Sequence, residues 1–222
     1  MHLGESHILQ GIDFAVPEGG VTALLGRNGA GKTTTIKAVL GLVERSGSVM
    51  LGGREAGRMA THSIIRLGVG YVPEDREVFA DLTVAENLLL AERDREPRYD
   101  LVYEVFPELR ERGAQRAGSL SGGQQQMLAI GRALLNRNRL ILVDEPTKGL
   151  SPLMVGKAVE ALRRAAETAT VLLVEQNLQV ARSLAEKVVV LDQGAVVFDG
   201  RVVELLSDPG LAQQYLGIGG AH

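Results

Sequence analysis

The most constraining stretch of this sequence is Gly-Arg-Asn-Gly-Ala-Gly-Lys-Thr at residues 26–33. It matches the pattern G-x-x-x-x-G-K-[ST], in which glycines allow consecutive backbone N–H groups to converge on an anion. The flanking residues agree with this pattern, because residues 21–25 predict a short apolar strand and residues 34–40 predict a helix that ends at Gly41. A strand, a glycine-rich loop and a helix N-terminus in this order predict a phosphate-binding site. A glycine-rich turn with a surface lysine is the weaker alternative.

The side chains of this loop indicate what it binds. Lys32 supplies a positive charge for the β- and γ-phosphates of a nucleotide, and Thr33 offers a hydroxyl group to Mg²⁺. The residues that we expect to contact the nucleotide here are Gly26, Arg27, Asn28, Gly29, Ala30, Gly31, Lys32, Thr33 and Thr34.

The composition excludes several other classes of protein. A net charge of −3, four Phe, four Tyr and no Trp provide neither a basic surface nor a stacking platform, so we expect no nucleic-acid partner. The absence of cysteine excludes disulfides and thiolate metal sites. No apolar run approaches the roughly 18 residues of a membrane span, and the N-terminal residues do not resemble a signal peptide. Any link to a membrane is therefore expected to go through a partner.

The remaining pattern predicts one α/β domain over residues 1–222 with a helical insertion. Residues 140–143 form the most apolar run and predict a central parallel strand. Between residues 74 and 135 the pattern predicts a charged loop and then helices only, starting with a capping box from Thr83 to Glu86. We therefore expect a core formed by residues 1–73 and 136–222. Further predicted elements are a strand over 8–16, strands at 48–51, 68–73 and 170–174, a hairpin over 187–198, and helices at 61–67, 152–167, 178–185, 202–206 and 211–215.

Two carboxylates follow the predicted central strand. Asp144 and Glu145 would lie at its carboxyl end, which is the edge where parallel sheets place their ligands. We expect Asp144 to hold Mg²⁺ directly or through water, and Glu145 to polarise the water that attacks the γ-phosphate. Alone, this pair would indicate two exposed acids in a turn. The phosphate loop upstream favours the catalytic interpretation.

A second helix N-terminus suited to an anion is predicted at Leu-Ser-Gly-Gly-Gln, residues 120–124. Ser121 can cap the following helix, predicted from about Gln124 to Leu135, while Gly122 and Gly123 keep the approach to its N-terminus free of side chains. By itself this segment would be an ordinary helix cap.

Together these motifs resemble the ATP-binding-cassette (ABC) ATPases, and the resemblance covers essentially the whole chain. It implies an α/β P-loop NTPase fold with an antiparallel β subdomain and an inserted α-helical subdomain. It implies ATP and Mg²⁺ as cofactors, with Ser121, Gly122, Gly123 and Gln124 as further nucleotide-binding residues. It also implies that two cassettes pair head to tail, so that Ser121 and Gly123 of one contact the γ-phosphate held by Lys32 of the other.

Several positions depart from the usual pattern of that family. Glu74 stands where a glutamine usually senses Mg²⁺ and water, and its carboxylate can still reach the metal. Gln176 replaces a histidine that touches the γ-phosphate, and it can donate a hydrogen bond but cannot carry a proton at neutral pH; a loop amide without function is the alternative. Lys148 lies in a loop that usually ends in Asp. No aromatic residue is present to stack on adenine near the N-terminus, where His2 and Leu3 stand.

These departures form a pattern of their own. The segments GRNGAGKTT, YVPEDREVFADLTVAENL, LSGGQQQMLAIGRAL, DEPTKGLSP and LLVEQN, with a Tyr-Leu-Gly tail at residues 215–217, are similar to the ATP-binding subunits of branched-chain amino acid importers. Urea and amide importers are close relatives. The resemblance implies a second ATPase subunit of the same or a different kind, two membrane permease subunits and an external solute-binding protein. It implies a cytoplasmic location, peripheral on the inner face of the cell membrane, with a permease helix docked near Glu74 and residues 75–82; a solvated charged loop is the alternative for this segment.

Three other functions are alternatives to the ATP-binding subunit of an importer. An exporter ATPase shares the same motifs. A soluble cassette protein of DNA repair or translation usually has two cassettes, a long coiled coil or basic arms, and none is visible in this sequence. A regulatory nucleotide-binding module that does not turn over is disfavoured by the intact Lys32, Asp144 and Glu145.

Overall fold

The computed structural model describes residues 2–3, 6–7, 9–207, 210 and 213. Its strands are β1 His2–Leu3, β2 Ser6–His7, β3 Val21–Leu25, β4 Met50–Leu51, β5 Arg54–Glu55, β6 Val69–Val72, β7 Leu140–Asp144, β8 Thr170–Val174, β9 Lys187–Asp192 and β10 Ala195–Arg201. Its α-helices are α1 Lys32–Leu40, α2 Thr61–Arg66, α3 Val84–Leu90, α4 Tyr99–Val105, α5 Pro107–Glu111, α6 Gly122–Leu134, α7 Pro152–Ala166, α8 Leu178–Leu184 and α9 Val202–Ser207, and a 3-10 turn covers Ala117–Ser119.

The main sheet places the strand before the phosphate loop in its middle. In the described part of the chain its six strands run in the order β10-β9-β3-β8-β7-β6. All neighbouring pairs are parallel except β9 and β10, which form the predicted antiparallel hairpin. The carboxyl ends of β3, β6, β7 and β8 therefore meet along one edge, where loops from four different strands can build a site.

Alternation of side chains along each strand gives the sheet two buried faces. In β7, Ile141 and Val143 pack on one face with the helices α3 to α8, whereas Leu142 packs on the other face with α1 and α2. Because both faces of the sheet are covered, the sequences of its central strands are almost continuously apolar.

The segment between residues 83 and 135 contains helices α3 to α6 and, as the structure describes it, no strand beyond one isolated bridge between Thr83 and Arg116. The predicted capping box of α3 is present. Buried Leu88, Phe106 and Leu128 belong to the same apolar cluster as the strand residues of the sheet. Together with the antiparallel pairs β1–β2 and β4–β5, these elements confirm the predicted fold class.

The predicted strand over residues 8–16 is wrong for the residues that the structure describes, 9–16, and Ile8 lies outside them. Ile12, Phe14 and Val16 pack against the sheet, so the alternation that predicted a strand reflects a real buried face. However, residues 9–16 are not assigned to any strand pair. A β-strand requires a ladder of backbone hydrogen bonds to a neighbouring strand in addition to alternating apolar residues. The predicted helix 211–215, the tail 215–217 and the side chains of His2 and Leu3 lie outside the described residues.

The described helices are all too short or too polar to cross a lipid bilayer.

Candidate active site

The phosphate loop leaves β3 after Leu25 and enters α1 at Lys32. Three of its glycines have positive φ angles, 154° at Gly26, 80° at Gly29 and 104° at Gly31. Gly31 is the N-cap of α1 and provides no side-chain hydrogen bond to the helix. The first-turn N–H groups of α1 are therefore not occupied by a capping side chain, and they form the positive end of the helix.

Gly26 is required by a close approach of two backbones. A Cβ atom at this position would lie 2.3 Å from the backbone oxygen of Leu191, at the end of β9. The loop thus packs against its neighbouring strand as closely as only glycine permits.

The ammonium group of Lys32 lies over its own loop. It is nearly buried, with 4% exposure, and Nζ donates to the backbone oxygens of Gly26 at 2.9 Å and Arg27 at 3.1 Å. It also lies 3.5 Å from Oε1 of Glu145. The ammonium group of Lys32 therefore contacts both the phosphate loop and the carboxylate of Glu145.

Asp144 lies at the carboxyl end of β7 and faces the loop. Its Oδ1 accepts a 3.1 Å hydrogen bond from the hydroxyl group of Thr33, while its buried Oδ2 has no hydrogen-bond partner among the described residues. Burial raises the pKa of Asp144 to about 6, a rise that the hydrogen bond from Thr33 opposes and that Glu74 and Glu145 add to. A buried carboxylate oxygen without a donor, beside a hydroxyl group, fits a divalent cation.

Glu145 follows Asp144 with φ at 44°, a conformation that is uncommon for a residue other than glycine. Its Oε1 accepts a 2.5 Å hydrogen bond from the side-chain amide of Gln176. Asp144 on β7 is paired with Val174 on β8, so the segments that follow the two strands lie side by side, and the side chain of Gln176 reaches Glu145 from the second of them. Gln176, predicted from its place after β8, is thus in contact with the predicted water-polarising residue.

Sequence reasoning missed Glu175, which links the loops after β7 and β8. Its side chain is buried; Oε1 accepts from the hydroxyl group of Thr147 at 2.7 Å, and Oε2 accepts from the N–H groups of Gln176 and Asn177, each at 3.2 Å. Burial raises the pKa of this carboxyl group, which the hydrogen bonds partly offset. A signal was present, because Glu175 follows an apolar strand at the same sheet edge as Asp144.

Glu74 follows β6 at this edge but its carboxylate pairs with the ammonium group of Lys148. Within the described residues, no group of three or more His, Cys, Asp or Glu side chains forms a metal site by itself. Mg²⁺ usually binds through one or two carboxylates together with phosphate oxygens and water, so Thr33 and Asp144 can suffice for the protein's share.

The second predicted anion-binding segment has the expected local structure. Ser121 caps α6, which begins at Gly122 and not near Gln124 as predicted, and Ser121 and Gln124 form a reciprocal capping box. The two glycines therefore belong to the first helical turn. In the described part of the chain, no hydrogen bond or ion pair joins residues 121–124 to residues 26–33.

Comparisons with known proteins agree with this geometry. Residues 9–148 match the family described as ABC transporter. The chain is 40% identical to the high-affinity branched-chain amino acid transport ATP-binding protein BraG of Pseudomonas aeruginosa, over 97% of this chain and 96% of that protein. It is 37% identical to the probable branched-chain amino acid transport ATP-binding protein LivF of Archaeoglobus fulgidus, over 96% of this chain and 94% of that protein. A dimeric ATP-binding cassette solved in a post-hydrolysis state with ADP and Pi matches with a TM-score of 0.78 and 25% identity, over 91% of this chain and 94% of that one.

Proposed function

Since this chain belongs to the ABC transporter family, we propose that it is the ATP-hydrolysing subunit of an importer for branched-chain amino acids or a related small polar solute. One observation carries the proposal. Lys32, Asp144 and Glu145 converge at one edge of the sheet, with 3.5 Å between Lys32 Nζ and Glu145 Oε1. The similarity to BraG and LivF supports the choice of solute class.

The nucleotide would bind along residues 26–34, with its phosphates at the N-terminus of α1. There the backbone N–H groups and the helix dipole favour negative charge. Lys32 would exchange its contacts with the carbonyls of Gly26 and Arg27 for the β- and γ-phosphates.

Thr33 and Asp144 would hold Mg²⁺, since the buried Oδ2 of Asp144 has no donor among the described residues. When bound, the metal ion supplies neutralisation of the phosphate oxygens. Glu74 would approach the same site from the segment that follows β6, with its carboxylate paired with the ammonium group of Lys148.

Glu145 would accept hydrogen-bonding from the attacking water and orient it towards the γ-phosphate. Gln176 holds one oxygen of this carboxylate at 2.5 Å, which leaves the other oxygen to face the water. Gln176 therefore orients the acid and takes no proton itself.

A second cassette would complete each site. Because residues 121–124 make no described contact with the phosphate loop of the same molecule, their helix N-terminus is best placed to serve a neighbour's nucleotide, with Ser121, Gly122, Gly123 and Gln124 next to its γ-phosphate. Residues 74–135 would then move as the helical part of the cassette, and residues 1–73 and 136–222 as its core.

Two membrane permease subunits, served by an external solute-binding protein, would hold this subunit at the inner face of the cell membrane. The proposed docking place is the segment 75–82. Within it Phe79 is held in place, because the side chain of buried Asn87 accepts a hydrogen bond from the N–H of Phe79 and donates one to its carbonyl. The ring of Phe79 is nevertheless about half exposed, at 49%. An anchored loop with an exposed aromatic ring is suited to contact with a partner.

Phosphate release from MgATP by the purified chain and by Glu145→Gln tests this function. We expect the substitution to lower turnover by roughly 100-fold or more, the size typical of losing a positioned general base. Glu160→Gln is the matched control, since Glu160 forms an exposed pair with Arg163 on α7. Turnover of Glu145→Gln at the wild-type rate would show that the catalytic role is assigned wrongly.

A further inference from the structure

We propose that Lys148 is a positioning residue that supplies the counter-charge for Glu74 beside the nucleotide, so that the acid at position 74 weakens nucleotide binding when this lysine is absent. The inference rests on the proposed function and adds to it a residue to which the sequence motifs assign no role.

The contacts of Lys148 carry this proposal. Its Nζ donates a hydrogen bond to Oε1 of Glu74 and lies 3.7 Å from Oε2 of Glu145. Lys148 therefore links acids that follow two different strands, β6 and β7.

The charge at this edge explains why a second lysine is needed. Glu74, Asp144 and Glu145 place three carboxylates where a triphosphate is to bind, and like charges oppose one another. Lys32 contacts Glu145 and the loop carbonyls, and no contact of its ammonium group with Glu74 is described. The positive partner of Glu74 in the described structure is Lys148.

A neutral glutamine at position 74 would need no such partner. The chain has an acid at position 74 and a base at position 148, and the two pair directly although 74 residues separate them. The two departures from the family pattern are thus one electrostatic unit. This predicts that their substitutions are not independent, because contacting charges couple in a double-mutant cycle.

The test is equilibrium binding of a non-hydrolysable ATP analogue with Mg²⁺, measured by calorimetry on the full chain. Lys148→Ala should weaken binding about threefold, the size expected for an uncompensated charge at a solvent-accessible pair, and the loss should shrink at high salt. Lys148→Arg should retain the binding, and Lys148→Ala should have little further effect when it is made in a Glu74→Gln background. Arg137→Ala is the matched control, since it removes one positive charge from an exposed pair with Glu96.

The outcomes separate this inference from the proposed function. Unchanged binding in Lys148→Ala, or an equally large loss from Lys148→Ala in the Glu74→Gln background, would overturn the counter-charge role while the ATPase assignment stands. An equal loss in Arg137→Ala would overturn it too, by showing a general effect of net charge. Failure of the wild-type chain to bind the analogue would instead overturn the proposed function.

Discussion

The side-chain amide of Gln176 donates a 2.5 Å hydrogen bond to the carboxylate of Glu145. The two residues follow adjacent parallel strands, β7 and β8, and Glu145 reaches the contact with a left-handed backbone conformation. A glutamine in this position can hold the acid but cannot exchange a proton with it. The proposed chemistry therefore depends on one acid, Glu145, whose orientation is set by its neighbours.

The buried charge of Asp144 is expected to lower the stability of the fold while it serves the binding of Mg²⁺. At pH 7.5 this carboxyl group is ionised in both the folded and the unfolded chain, and burial disfavours the charge only in the folded one. Asp144→Asn should therefore raise the free energy of unfolding by about 3 kcal/mol, in line with a pKa raised from 3.8 to about 6. The same variant should lose Mg²⁺-dependent nucleotide binding.

The pH dependence of this gain has a definite sign. As the pH falls through about 6, the folded wild type takes up a proton on Asp144, whereas the unfolded chain stays ionised until near 3.8. The wild type thus gains stability relative to Asp144→Asn, and the difference should shrink between pH 7.5 and pH 5. Urea unfolding of both proteins across this range measures it. A variant no more stable than the wild type at pH 7.5 would contradict the burial argument.

Two glycines of the phosphate loop should differ sharply in their response to alanine. Gly26→Ala would place a Cβ atom 2.3 Å from the Leu191 oxygen, whereas nothing lies within 4 Å of a Cβ atom at Gly29. Gly29→Ala should cost about 1 kcal/mol from its positive φ alone, and Gly26→Ala clearly more, because the backbone of the loop or of β9 must move. Chemical denaturation of the two variants gives the comparison, and equal losses would refute the close-approach explanation.

Glu175 should affect turnover indirectly, by holding the backbone of Gln176 and Asn177 in place. Glu175→Gln replaces one of the two acceptor oxygens with an N–H₂ group, so the side chain can no longer accept hydrogen bonds both from Thr147 and from the backbone donors of Gln176 and Asn177. We expect turnover to fall about tenfold, as for a small displacement of a catalytic group, with little change in KM for MgATP. Steady-state kinetics of Glu175→Gln, Gln176→Ala and their double variant check this. Full additivity of the two losses would argue that Glu175 does not act through Gln176.

The parts of this site that could be predicted from sequence are those with a local cause. The phosphate loop needs its glycines and lysine in consecutive positions, and Asp144 and Glu145 follow directly from an apolar strand. Glu175 was missed because its partner Thr147 comes close to it only when β7 and β8 pair. The pairing of separate strands is a tertiary event that a single sequence does not display.

The same limit explains the wrong strand and the unforeseen ion pair. Residues 9–16 have the alternation of a strand, but whether a neighbour forms a ladder with them depends on the rest of the fold. In the sequence Lys148 was only one residue of a loop that departs from the family pattern, and its contact with Glu74 is visible only in the structure. Local motifs thus predicted the chemistry, and strand adjacency determined how the residues act on one another.

The most direct measurement of the central claim is ATP turnover by mixed pairs of inactive variants. In a head-to-tail pair, Lys32→Ala damages the nucleotide-holding half of one site and Ser121→Arg damages the capping half of the other molecule. Ser121 is exposed, so the arginine meets no core packing. A mixed dimer of the two then contains one doubly damaged site and one intact site, and equal random mixing should restore up to about a quarter of the wild-type turnover.

Lys32→Ala mixed with Asp144→Asn is the control, because both lesions lie in the nucleotide-holding half and no intact site can form. Recovered turnover in the first mixture and none in the control is the predicted result. A Lys32→Ala and Ser121→Arg mixture no more active than its separate components would contradict a site shared between two molecules.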